Sequence, residues 1–190
     1  MVRTLIIGDS HVRRFNNHLR HIAATPEDAL RLDPKHKLLF YGIRGGSVGN
    51  PSHTAKIVVT CQSFRPDYVI LWIGGNDLDT KDGSVEFVSA KIKALATMLL
   101  GRLHLRGLYL PEQMGRTSTR CVPTARFQQM VQCLNSCIKE QVVSYHKLHW
   151  WKMRHLNSNR SDTLCDGIHL NNKGQTFLFH NLRGAIIRCV

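Results

Sequence analysis

Short apolar runs alternate along the chain with stretches in which apolar side chains recur every three or four residues. The first run, residues 4–7, reads as a buried strand. A helix follows over 11–24, where Val12, Phe15, Leu19 and Ile22 fall 3, 4 and 3 residues apart and make one stripe. Residues 38–43 form the second strand-like run, and a weaker helical pattern spans 52–63. The clearest strand is 68–73, introduced by the turn-forming Arg65-Pro66-Asp67 and stopped by Gly74-Gly75-Asn76-Asp77. Its unbroken apolar character suits a parallel strand covered on both faces. A helix from about Ser84 carries Val85, Val88, Ile92, Leu95 and Leu99 on one side. Residues 105–110 make a fourth strand ended by Pro111. A helix over 124–143 presents Phe127, Met130, Leu134, Ile138 and Val142. Residues 148–153 make a fifth strand, and a last helix covers 173–188.

Strand and helix alternating five times argue for an α/β fold with a parallel sheet sandwiched between helices and joined by right-handed crossovers. In such folds the ligand sits outside the carboxyl ends of the strands. Four segments fall there: Gly8-Asp9-Ser10-His11 after the first strand, Gly45-Gly46-Ser47 after the second, Gly74-Gly75-Asn76-Asp77 after the third and Asp166-Gly167-Ile168-His169-Leu170 before the last helix.

Singly, each segment has an ordinary explanation. Ser10 could cap the first helix, Asn76 could be a turn or cap residue, Asp166 could cap the last helix, and His169 is one of 11 histidines. Together they supply a complete set for nucleophilic catalysis. A serine hydroxyl needs a base to accept its proton, and that base needs a carboxylate to orient it. An Asp-x-x-His turn can hold both on one loop, with Asp166 on Nδ1–H of His169 and Nε2 left for Ser10. The N–H groups of Ser10 and Gly45 and the amide of Asn76 could then converge on a tetrahedral oxyanion.

These blocks, in this order, resemble the SGNH (GDSL-like) hydrolase superfamily. The resemblance covers nearly all of the chain. It implies a three-layer α/β/α sandwich, flavodoxin-like, with a five-stranded parallel sheet forming one domain over residues 1–190. It further implies hydrolysis of carboxylic esters, acetyl or lipid, with no metal or organic cofactor. By position, Ser10 would be nucleophile, His169 base and Asp166 its orienter. Gly45 and Asn76 would join the Ser10 amide as oxyanion donors, with Gly46 a fallback for Gly45. The family usually has leucine after the serine, whereas His11 stands here. Gly42-Ile43-Arg44-Gly45-Gly46-Ser47 and Ile73-Gly74-Gly75-Asn76-Asp77-Leu78 look closer still to the esterase domain of first-reading-frame proteins of LINE retrotransposons. That closer resemblance would imply a parent protein that handles RNA.

Composition narrows the remaining choices. With 190 residues and 43% hydrophobic content the chain can bury one sizeable core without disulfides or metal. No apolar run approaches the ~18 residues of a membrane span. Six scattered cysteines (61, 121, 133, 137, 165 and 189) have no paired framework; they read as buried free thiols of an intracellular, cytoplasmic protein. The net charge of +13 favours an anionic partner, so RNA or an anionic membrane surface stands beside a small-molecule or lipid ester substrate. Between Gln113 and Ser161 eight Lys or Arg, among them Arg116, Lys152, Arg154 and Arg160, face one acid, Glu140. The segment Tyr145 to Lys152 interleaves aromatic and basic groups, as a single-strand nucleic-acid surface would. A plainer reading puts Trp150 and Trp151 in the fifth strand, facing opposite layers. Arg13 and Arg14 read as a solvated helix face, and Asp9 and Asp77 as loop anchors. An RNA-binding module with hydrolysis lost or incidental is therefore the alternative to an esterase. A nucleotide-binding fold is disfavoured, since neither Gly-x-Gly-x-x-Gly nor a phosphate-binding loop follows the first strand.

Overall fold

The structure, a computed structural model, describes residues 1–156 and 161–189. Five strands, β1 (Val2–Gly8), β2 (His36–Gly42), β3 (Tyr68–Trp72), β4 (Gly107–Pro111) and β5 (Leu148–Trp151), form one sheet in the order β2-β1-β3-β4-β5. Every pairing is parallel. The helices are α1 (Ser10–Arg20), α2 (Pro26–Ala29), α3 (Pro51–Phe64), α4 (Gly75–Leu78), α5 (Val85–Arg102), α6 (Thr124–Val142) and α7 (Asn172–Arg188). A 3-10 turn occupies Ser161–Thr163.

The period of two along each strand divides the core into two layers. Leu5, Ile7, Val69, Leu71, Leu108 and Leu110 face α3, α5 and α6, meeting Ile57, Ile92, Leu99, Phe127 and Leu134. Ile6, Phe40, Ile70, Trp72 and Tyr109 face α1 and α7, meeting Phe15, Leu19, Leu178 and Ile186. Trp150 packs against the first layer and Trp151 against the second, as alternation in β5 requires. The expected α/β/α sandwich is thus the observed fold.

Several boundaries differ from the sequence expectation. The first helix ends at Arg20 rather than at residue 24, and Ile22 is left 53% exposed. The N–H groups of Ile22 and Ala23 both fold back onto the Leu19 carbonyl, and the chain then restarts as α2 behind a Thr25 cap and Pro26. That detour serves the sheet edge. Glu27 of α2 accepts the Leu38 N–H on β2 at 2.6 Å, covering a donor an edge strand would otherwise expose. At the other edge β5 stops at Trp151, opposite Pro111, beyond which Glu112 takes over: its N–H donates to the Trp151 carbonyl and its carboxylate accepts from Met153 N.

The expectation of buried thiols holds for Cys61 and Cys189 alone. Cys121, Cys133 and Cys165 are exposed and Cys137 is half-buried. Cys133 and Cys137, four residues apart on α6, lie away from the side that carries Phe127, Leu134 and Ile138 into the core. Arg160 lies outside the described residues. Among the described residues no helix is long and apolar enough to cross a membrane.

α1 lies directly on the end of β2. A Cβ added at Gly42 would stand 2.1 Å from the Arg13 backbone nitrogen and 2.5 Å from its Cα. Backbone cannot rotate aside as a side chain can. Gly42→Ala is therefore expected to destabilise the fold by about 3 kcal/mol, read as a fall in the urea midpoint at unchanged m-value.

Candidate active site

The sheet register assembles the site. Gly8, the last residue of β1, stands opposite Gly42 of β2 and Trp72 of β3, so three strands end in one row. The ladder runs one step further: Ile43 N–H donates to the Gly8 carbonyl at 2.8 Å and Asp9 N–H to the Trp72 carbonyl at 3.2 Å. The three loops that follow therefore start side by side.

In the first loop Asp9, not Ser10, is the helix cap, its carboxylate accepting the His11 N–H at 2.8 Å. This leaves Ser10 as the first residue of α1, with its own N–H unpartnered among the described residues and its hydroxyl at the positive end of the helix. In the second loop Gly46 N–H is committed to the Ile43 carbonyl at 3.0 Å, whereas Gly45 N–H has no partner among the described residues. Gly45 has φ +63°, where a glycine is favoured, and a Cβ there would meet nothing within 4 Å. In the third loop the expected turn at 74–77 is the start of the short helix α4, with Asn76 in its first turn.

Asn76 and Asp77 stitch the third loop to the second. Asn76 Nδ2 donates to the Gly46 carbonyl at 2.9 Å. The Asp77 carboxylate accepts from Ser47 Oγ (2.5 Å), Val48 N (3.0 Å) and Gly49 N (2.8 Å). Asp9 and Asp77 are thus the loop anchors their positions suggested, and Asp77 does most to fix the Gly45–Gly46 turn.

The fourth segment arrives from the far end of the chain. Asp166 does not cap α7, a task that falls to Asn171. Its Oδ1 accepts the N–H groups of Ile168 (3.0 Å) and His169 (2.7 Å), and its Oδ2 meets His169 Nδ1 at 2.7 Å. Burial alone would raise the Asp166 pKa, but these hydrogen bonds outweigh it and hold the group ionised far below the usual carboxylate range. With Nδ1–H donating to Asp166, Nε2 of His169 is left as an acceptor, and it lies 3.2 Å from Ser10 Oγ. Residues 10, 166 and 169 therefore form one connected chain. Such a chain can draw a proton from a serine hydroxyl.

Two further features escaped the sequence reading. Arg116, counted there only as one member of the basic 113–161 segment, is 4% exposed and bonds both Asn76 and Asp79. Asp79 in turn accepts the N–H groups of Arg120 and Cys121. No motif marks a guanidinium that reaches 40 residues back along the chain. His11 is buried, its ring 5.3 Å from that of Trp72 and 5.6 Å from that of His169. Burial, with Arg116 and His169 adding to it, pushes its pKa down to about 3.

That shift has a direction in stability. Below its ordinary value of 6.5 the unfolded chain takes up a proton at His11 that the folded chain refuses, so the fold weakens as pH falls from about 6.5 toward 3. His11→Leu removes this penalty. Relative to the parent, it should gain roughly 3 kcal/mol of stability on going from pH 7 to pH 4, read from urea titrations at both values; a constant difference would contradict the burial effect.

Comparison with known proteins gives the family and the fold to which these loops belong. The sequence model of the GDSL-like lipase/acylhydrolase family matches residues 6–177. No curated protein matches the chain. Among solved structures, a GDSL-like lipase from Bacteroides thetaiotaomicron superposes with a TM-score of 0.74 at 13% identity, covering 99% of this chain and 89% of that one. An acetylxylan esterase from Geobacillus stearothermophilus gives a TM-score of 0.64 at 15% identity, covering 97% and 94%. A second acetylxylan esterase gives 0.65 at 14%, covering 97% and 100%. These likenesses establish a shared fold. The family match extends across all four loops that bear the site, and the chain belongs to the GDSL-like lipase/acylhydrolase family.

Proposed function

We propose that this protein is a serine esterase in which Ser10 is the nucleophile, His169 the general base and Asp166 its orienting carboxylate. The observation that carries the reading is the unbroken Ser10–His169–Asp166 chain, at 3.2 and 2.7 Å, at the carboxyl edge of the sheet. As Ser10 Oγ bonds to the acyl carbon, its proton passes to His169 Nε2, and the carbonyl π electrons move onto oxygen. The N–H groups of Ser10 and Gly45 and the amide of Asn76 receive that charge. Gly45 is preferred to Gly46 because Gly46 N–H is already bonded to Ile43. When the tetrahedral adduct collapses, the C–O bond to the alcohol breaks and His169 returns the proton to the departing oxygen. Water, deprotonated by the same imidazole, then cleaves the acyl-serine and restores Ser10. The ionised Asp166 stabilises the imidazolium at both steps.

The substrate is a carboxylic ester, with an acetyl group as the first candidate in view of the acetylxylan esterases among the fold neighbours. Purified protein is expected to hydrolyse p-nitrophenyl acetate and to be labelled by a fluorophosphonate at Ser10. Ser10→Ala should lower kcat by at least about 10³-fold, and Asn76→Ala by about 10² to 10³. Turnover unaffected by Ser10→Ala would remove the nucleophile assignment.

A second reading, RNA binding beside hydrolysis, is favoured by one observation. A cavity of about 660 Å³ between β5 and α7 is lined by Trp150, Trp151, Phe177, Lys152, Arg154 and Arg188, with no acid among its described lining residues. Aromatic faces and cations together suit stacked bases and phosphates. The likeness to LINE first-frame esterase domains belongs to this proposal. Neutralising Lys152 and Arg154 together should make the salt dependence of single-stranded RNA binding shallower by about 1 to 1.5 in logarithmic slope; an unchanged slope would count against this cleft.

A further inference from the structure

Asn76 is an amide, and an amide can occupy the same space in two orientations that differ only in which end carries hydrogens. An oxyanion donor works in one of them. What selects that orientation is visible on both sides of the group. Nδ2 donates one hydrogen to the Gly46 carbonyl at 2.9 Å. Oδ1 accepts from Arg116 Nη2 at 2.8 Å. In the flipped state oxygen would face the Gly46 carbonyl and hydrogens would face a guanidinium. Both contacts would turn repulsive.

Arg116 is itself held from several directions. Nη1 bonds Asp79 Oδ2 at 3.2 Å, and the guanidinium lies 5.1 Å over the Phe127 ring. Gln128 Nε2 donates to its backbone carbonyl at 2.6 Å. The side chains of Arg116 and Asp79 are 5% and 2% exposed, so the pair is shielded from water. With Nη1 and Nη2 bonded to Asp79 and Asn76 and its side chain buried, Arg116 is poorly placed to meet a substrate, but well placed to act through Asn76. The same segment reaches the other half of the site. Thr117 N and Ser118 N donate to the Gly167 carbonyl at 2.8 and 3.2 Å, two residues before His169. Residues 116–118 thus tie the Asn76 loop to the Asp166–His169 loop.

Building on the esterase reading above, we infer that Arg116 is a positioning residue of the oxyanion hole. Its forked guanidinium fixes Asn76 in the donating orientation, polarises the amide and anchors it through Asp79. A lysine, with one point of charge and no planar fork, cannot bridge Asn76 and Asp79 in this way.

A double-mutant cycle on p-nitrophenyl acetate tests the inference. Arg116→Met is expected to lower kcat about 10- to 100-fold, with KM changed less than about threefold, and Arg116→Lys to fall between it and the parent. In the Asn76→Ala background the same substitutions should cost less than about threefold, because the group through which Arg116 acts is gone. Equal losses in both backgrounds would overturn the inference and leave Arg116 a structural ion-pair partner. Arg116→Lys serves as the second variant should Arg116→Met fail to fold. An independent readout separates this result from the esterase reading. The Asn76 side-chain amide signals in a ¹⁵N–¹H spectrum, identified by their loss in Asn76→Ala, should shift and exchange with solvent at least about tenfold faster in Arg116→Lys. If the parent protein shows no turnover, the esterase reading falls while the amide signals still decide the role of Arg116. Unchanged signals overturn that role.

Discussion

The parallel register of β2, β1 and β3 governs where chemistry can occur in this molecule. Because Gly42, Gly8 and Trp72 stand in one row, with β1 in the middle, the loops leaving β2 and β3 each begin one strand spacing, about 5 Å, from the loop leaving β1. A slip of one residue in β1 would turn Leu5 and Ile7 from one core layer into the other and would carry Ser10 away from the Gly45 turn. Burial on both faces makes that slip costly. The same hydrophobic alternation that stabilises the sheet therefore also sets the relative positions of a serine, a glycine turn and an asparagine that are remote in sequence. The glycines complete the arrangement: Gly8 and Gly42 let the Trp72 carbonyl and the Arg13 backbone come closer than any Cβ would permit.

Above the strand ends, packing is polar. Asp9, Asp77, Asp79 and Arg116 are all buried. Burial pushes Asp9 up to about 6, with the His11 N–H and Arg116 drawing it back only in part. A buried pair such as Arg116–Asp79 can often be replaced by apolar side chains at no loss of stability, whereas removing one partner costs about 3–5 kcal/mol. Stability is thus a poor explanation for its presence. Directional contacts are a better one, because an apolar patch can fill the space around Asn76 but cannot say which way its amide points.

The strands and the main helices were legible because each has a periodic apolar face longer than its boundaries are uncertain. The four loop blocks were legible because their residue types and order match the demands of acyl transfer. Three things were not. The end of α1 depends on hydrogen bonds back to the Leu19 carbonyl and on the Thr25 cap of a four-residue helix too short to show periodicity. The exposure of Cys121, Cys133 and Cys165 depends on which way loops and helix flanks face, and their residue type alone pointed inward. Arg116 sits in a run of basic residues, and composition assigns such a run to the surface. Only the approach of the 112–123 loop to α4 shows that one member of it is buried against Asn76.

His11 illustrates how burial can protect the chemistry beside it. Its ring lies 5.6 Å from that of His169, the group that must carry a proton through the proposed reaction. Were both imidazoles charged, their repulsion at that separation would be about 3 kcal/mol at an effective dielectric constant near 20. A cost of that size would oppose transfer of the Ser10 proton to His169. Packing against Trp72 and exclusion of water hold His11 neutral at any pH well above 3, so the penalty does not arise. A polar residue beside the proposed nucleophile, where the family usually has leucine, is therefore compatible with base catalysis because the fold denies it a charge.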